Sequence, residues 1–173
     1  GSSYRPGDLL KTMSGKTIEI INTDSIGKLI LCDAITYSKK YNPIIIIDIA
    51  TLTSSTIIAL GKNYTALYSN NSKLANDILI AGKIIDDLCW KMPLSKSYNE
   101  KLKNTLADIT NIGENTGESM NAACFLSNFT KNIPWAHLDI AGTATTKNQI
   151  EESTGRPTKL LIQYLINLSS SIK

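Results

Sequence analysis

Histidine occurs once, phenylalanine and tryptophan twice each, and cysteine three times in 173 residues. The single histidine, His137, has no serine or cysteine placed to act with it as a nucleophile, so a hydrolase triad is not supported and a structural, hydrogen-bonded imidazole is expected. Cys32, Cys89 and Cys124 are odd in number and lack metal-ligand spacing. They read as buried thiols of a reduced compartment, not as a disulfide framework or a zinc site. No apolar run reaches the ~20 residues of a membrane span, and the first residues carry no charged-then-apolar signal pattern. A cytoplasmic location is expected, with a mitochondrial one left open. Basic clusters are missing too: 18 Lys+Arg face 15 Asp+Glu, for a net charge of +3, and the lysines are scattered without interleaved aromatics. Nucleic acid is not an expected partner. Gly15-Lys16 and Gly61-Lys62 lack the upstream glycine and the Ser/Thr of a phosphate-binding loop, and read as turns.

Repeats, linkers and low-complexity stretches are also absent. With 42% hydrophobic residues the chain can bury one core, so a single domain over 1–173 is expected. Its pattern alternates between two periods. The β-branched run 17–21 predicts a strand, and apolar residues at Leu31, Cys32 and Ile35 predict a helix over 28–41 that Asn42-Pro43 stops. Ile44-Ile45-Ile46-Ile47 suits a central strand covered on both faces. A short helix capped by Thr53 or Ser54 follows and ends at Gly61; 64–68 is a strand candidate. Leu74, Ile78, Ala81, Ile85 and Leu88 are spaced four, three, four and three, so one helix face is core. A short helix near 98–102, a brief strand at 107–110, an exposed loop at 111–118, a helix through Phe125 and Phe129, and a strand at 135–140 come next. Gly155-Arg156-Pro157 opens a last helix. Strands alternating with helices predict an α/β three-layer sandwich with a mixed, mostly parallel central sheet flanked by helices.

Polar groups gather where the expected strands end: Asn22-Thr23-Asp24 after the first, Asp48 with Thr51 and Thr53 after the second, Asp139 at the end of the last. If those strands are parallel neighbours, the groups meet at one sheet edge, where α/β proteins bind ligands. Spacing alone favours a plainer reading in which Asp24 and Thr53 are helix caps and Asp48 is a satisfied turn residue.

Asn22-Thr23-Asp24-Ser25-Ile26-Gly27-Lys28-Leu29 resembles the NTDAEGRL signature of the cytosolic leucyl aminopeptidases, which are dinuclear metallo-exopeptidases. Arg5-Pro6-Gly7-Asp8, Ser14-Gly15-Lys16-Thr17-Ile18-Glu19, Asp48-Ile49-Ala50-Thr51-Leu52-Thr53, Trp135-Ala136-His137-Leu138-Asp139-Ile140-Ala141-Gly142 and Thr154-Gly155-Arg156-Pro157-Thr158 look like further landmarks of that family, in order. The resemblance implies two divalent ions (zinc, manganese or magnesium) that activate a water against the peptide bond after an N-terminal residue. It also implies a peptide substrate and a homo-oligomer, a hexamer in the family. Position by position, it makes Asp24 a metal ligand and puts Ile26 at the place of the bridging glutamate. Lys28 stands where the family has the catalytic arginine, and Thr51, Leu52, Ala141 and Ala144 border the substrate pocket.

Two positions depart from the family pattern in ways that matter chemically. Isoleucine at 26 offers neither lone pair nor charge to bridge two ions that would repel one another. Lysine at 28 keeps a positive charge but loses the planar fork of arginine; one helical turn from Asp24, it is expected to pair with that carboxylate. The family's remaining ligands and its catalytic lysine belong upstream of the Pro6-Gly7-Asp8 landmark, so the chain is expected to be the carboxyl-terminal part of a catalytic domain. Together these predict a leucyl aminopeptidase-like protein impaired or inactive in catalysis, with its ions absent or weakly bound, and retained for structure or assembly. The alternative is a fragment of an active metal-dependent aminopeptidase completed by an upstream half. A small module that binds a peptide amino terminus without cutting it is a third, less supported reading.

Overall fold

A computed structural model describes residues 4–23, 26–113, 116–147 and 151–170. It is of the α/β class: six α-helices and nine strands among the described residues, with both parallel and antiparallel pairing. The chain forms two compact units, one of Gly1–Asp48 with Pro93–Trp135 and one of Ile49–Met92 with Ala136–Lys173.

In the first unit, β1 (Leu9–Lys11) and β2 (Thr17–Glu19) form a hairpin, with Leu10 opposite Ile18. Its turn needs a left-handed residue, supplied by Gly15 at φ +86°. A two-residue strand, β6 (Ile109–Thr110), runs parallel to β2 and completes the order β1-β2-β6. Helix α1 (Gly27–Ser38) buries Lys28, Cys32 and Ile35. The four-then-three spacing of those residues makes one stripe of the helix. A short helix α4 (Lys96–Glu100) and α5 (Glu118–Ser127) pack together, and α1 also packs on α5. Phe125 and Phe129, one turn apart, meet at 5.4 Å between ring centroids.

The second unit holds α2 (Ser54–Leu60), β4 (Thr65–Ser69), α3 (Ser72–Ile84), β5 (Cys89–Lys91), the antiparallel hairpin of β8 (Thr145–Lys147) with β9 (Glu151–Ser153), and α6 (Thr158–Ser170). Asn71 caps α3, its side chain accepting from the Leu74 N–H at 2.9 Å. Helix α3 packs on α6. Arg156, ahead of α6, donates from Nε to Asp87 at 2.5 Å and from its other nitrogens to the carbonyls of Asn63 and Leu88.

Two further strands, β3 (Ile46–Ala50) and β7 (Trp135–Asp139), are cut by the division between the units. They belong to a sheet of order β3-β7-β4-β5, in which β4 is parallel to β5 and antiparallel to β7.

Several expectations change. The strand expected at 44–47 begins at Ile46, because Ile44 is 75% exposed just after Pro43, and it is an edge strand, not a central one. The helical period does not carry to Leu88. Helix α3 ends at Ile84, and Asp86 turns the chain with φ 55°. The segment starting at 111 is not exposed throughout, since Asn111 is fully buried. The polar strand ends do not share one sheet edge either: β2 lies in the three-stranded sheet, β3 and β7 in the four-stranded one.

Candidate active site

The corner after β2 is built by backbone bonding on one side and one side chain on the other. The Ile20 N–H donates to the Asp8 carbonyl and the Gly7 N–H to the Ile20 carbonyl, which ties the Pro6-Gly7-Asp8 turn to the strand end. From the opposite side Asn111 Oδ1 accepts from the Ile21 N–H at 2.8 Å, and its amide donates to the Asn22 carbonyl at 2.7 Å. A buried Asn there answers backbone groups that have left the ladder of β2.

Asp24 and Ser25 lie outside the described residues, so the expected ligand and its expected pairing with Lys28 lie outside them too. Ile26 is half-buried at the N-cap of α1, and its carbonyl accepts from the Leu29 N–H. Its side chain borders a hollow of about 290 Å³ together with Leu10, Leu29 and Ile30. Lys28 is 6% exposed. Burial pulls its ammonium down to about 8 from an ordinary 10.5, against a smaller upward pull from Glu118 at the start of α5. Among the described residues, the carboxylate that acts on Lys28 thus comes from another helix of the same unit.

The other expected site residues lie in the second unit, on two segments that follow strands. Thr51 is exposed, and Leu52, Ala141 and Ala144 are half-buried. Both segments converge on Asp139, which is 1% exposed. Its Oδ1 accepts from the Leu52 and Ala141 N–H groups, each at 3.1 Å. Its Oδ2 accepts from the Thr53 N–H at 3.1 Å, the Thr53 hydroxyl at 2.6 Å and the Thr56 hydroxyl at 3.0 Å. Thr53 does occupy the N-cap of α2, but its hydroxyl makes no cap bond and turns to Asp139 instead. The turn after Asp139 is closed by Thr143 and Ala144 N–H groups on the Ile140 carbonyl. The Ala144 carbonyl accepts from the Thr154 N–H at 2.9 Å. Gly142 is required here, because a Cβ would strike the Gly61 carbonyl at the end of α2.

For His137 burial and ring stacking are observed. It is 1% exposed and stacks on Tyr68, with ring centroids 6.0 Å apart. Asp48 accepts from the Trp135 indole N–H at 2.6 Å. The three thiols are free and buried.

Sequence reasoning missed Asn111 and Thr56. Asn111 sat in what read as a turn-rich loop, although its place at the end of a short strand was a usable signal. Thr56 looked like an ordinary helix residue. Among the described residues no group of three or more His, Cys, Asp or Glu side chains could hold a metal ion.

The match to known proteins extends over nearly the whole chain. Residues 1–162 match the model of the cytosol aminopeptidase family, catalytic domain. The probable cytosol aminopeptidase of Wigglesworthia glossinidia brevipalpis is 54% identical over 166 residues, which is 96% of this chain and 33% of that protein. Its namesake from Mannheimia succiniciproducens is 50% identical over 167 residues (96% and 34%), and that of Thioalkalivibrio sulfidiphilus 53% over 170 residues (98% and 34%). The chain spans about a third of the length of these curated relatives. With the landmark segments in order, an α/β fold and a family match from residue 1 to residue 162, the chain belongs to the cytosol aminopeptidase family.

Proposed function

We propose that the chain supplies the substrate-bordering part of a catalytic domain that acts on peptide amino termini, in a protein whose two-metal chemistry is weakened at position 26. What carries the reading is identity of about 50% along 96% or more of the chain to proteins named probable cytosol aminopeptidases. Thr51, Leu52, Ala141 and Ala144 are the residues assigned to border the peptide, and their partial exposure suits contact with a ligand. A cytoplasmic setting accords with the relatives' names, and no helix among the described residues is long and apolar enough to cross a membrane.

The residues on hand fit a complete two-ion centre poorly. Where the family pattern calls for a carboxylate there is Ile26, bordering a hollow lined by Leu10, Leu29 and Ile30 and also by Lys11, Thr12 and Asp33, and a hydrocarbon side chain can neither ligate nor neutralise a divalent ion. When bound, such ions would polarise the scissile carbonyl and activate water. What this chain's own residues do is hold the pocket segments in place and set a buried cation, Lys28, next to the altered corner.

A second reading, retention for structure or for assembly as a homo-oligomer such as a hexamer, is favoured by Ile26 and Lys28 themselves. The two part in a leucyl-anilide assay with added manganese. Turnover that disappears in Asp24→Ala and rises at least tenfold in Ile26→Glu supports the catalytic reading. No turnover in any of the three proteins, with a stable oligomer in sedimentation, supports the structural one.

A further inference from the structure

We infer that Asp139 is a positioning residue: one buried carboxylate that sets the two pocket-bordering segments, 51–53 and 141–144, at a fixed separation. The inference rests on the assignment of those segments to the substrate pocket proposed above. The geometry beneath it does not. The Leu52 N–H, from the segment after β3, and the Ala141 N–H, from the segment after β7, share the single oxygen Oδ1. The Thr53 N–H and the hydroxyls of Thr53 and Thr56 converge on Oδ2. Five donor groups thus lie within reach of two oxygens, the hydroxyls of Thr53 and Thr56 being 2.8 Å from each other as well, and the carboxylate can only accept.

That donor count explains why an aspartate stands here. A carboxylate offers about four lone-pair sites and no proton, whereas an asparagine of the same shape offers one oxygen and an NH2 that would face N–H or O–H donors. A buried donor left facing another donor costs more than a lost bond, because neither group reaches water. The saturation also keeps Asp139 out of the chemistry. With both oxygens occupied and 1% exposure, it cannot take a proton from a substrate or ligate an ion without dismantling the loop. Its effect on a peptide amino terminus passes through Leu52 and Ala141. The segment after β7 is also held by the Thr154 hydroxyl on the carbonyls of Thr143 and Ala144, and the Ile140 N–H donates to the Ala50 carbonyl at 2.9 Å where the two strands end; beyond that bond, Asp139 ties Leu52 and Thr53 to Ala141.

The test uses the full chain labelled with 15N and 13C, in unmodified form and as Asp139→Asn, with L-leucinamide as the probe. In the unmodified protein the amide nitrogens of Leu52, Thr53 and Ala141 should show through-hydrogen-bond coupling to the Asp139 carboxyl carbon; absence of that coupling overturns the inference even if the variant fails to fold. In D139N, whose one oxygen can serve either the Leu52 and Ala141 pair or Thr53 but not both, the amides on the side that loses it should move upfield and exchange with solvent about ten- to a hundredfold faster, while β5 and the α3–α6 pair keep their protection. Leucinamide should perturb Leu52 and Ala141 in the unmodified protein and bind at least tenfold more weakly to the variant. Leucinamide binding unchanged in D139N, with amides on one side released, overturns the positioning role. An unmodified protein that leucinamide does not perturb overturns the pocket assignment instead, and the coupling measurement then stands by itself.

Discussion

At residue scale the altered corner carries a buried cation whose desolvation is only partly compensated. Lys28 is buried, and Glu118 offsets only part of the desolvation that lowers its affinity for a proton. Because the folded chain binds this proton less tightly than the unfolded chain does, the penalty is fully present below about pH 8 and fades as pH rises toward 10.5. Stability from this group therefore increases with pH across that window. Lys28→Met should raise the urea midpoint at neutral pH, by the equivalent of about 1–3 kcal/mol, and should flatten the rise between pH 8 and 10.5. A variant less stable than the parent would show instead that the ammonium is fully compensated where it sits.

At the scale of elements, close approach of backbones sets what can change. Helix α2 ends against the turn after β7, where Gly142 faces the Gly61 carbonyl. Gly142→Ala must push two backbones apart, and a thermal melt should show a loss of about 1–3 kcal/mol; an unchanged melting temperature would mean that the turn yields freely. The period of α3 as far as Ala81 was legible in the sequence because it is local, one stripe of apolar side chains; the cap at Asn71, one side chain bonded three residues on, is equally local but was not read. The hairpin turn at Gly15 and the family landmarks were legible too. The role of Asn111 was not, since its partners at Ile21 and Asn22 lie about ninety residues away. Nor was the donor set of Asp139, assembled from two strand ends and a helix. Short strands such as β6, two residues long, carry too little alternation to be seen beforehand.

At the scale of the whole chain, the cysteines offer a reporter that the fold itself installs. Burial pushes the thiols of Cys32 and Cys89 up to about 12, and that of Cys124 upward as well, so all three should resist alkylation near neutral pH in the folded protein. Cys32 and Cys124 belong to the first unit and Cys89 to the second. Single-domain behaviour requires all three to become reactive at one urea concentration, read by mass spectrometry of alkylated peptides. Labelling of Cys89 apart from the other two would establish that the units unfold separately.

The division into Gly1–Asp48 with Pro93–Trp135, and Ile49–Met92 with Ala136–Lys173, also bears on how the chain is made. Neither unit is contiguous. On a ribosome β6 follows β2, the strand it joins, by about ninety residues, and β4 waits about seventy for its β7 neighbour. Until Trp135 has left the exit tunnel the first unit lacks its last segment, and the second lacks one until α6 is synthesised. During synthesis β2 and β4 therefore each stay short of a neighbour until those later residues emerge, and strand edges left open in this way are sites for unwanted pairing.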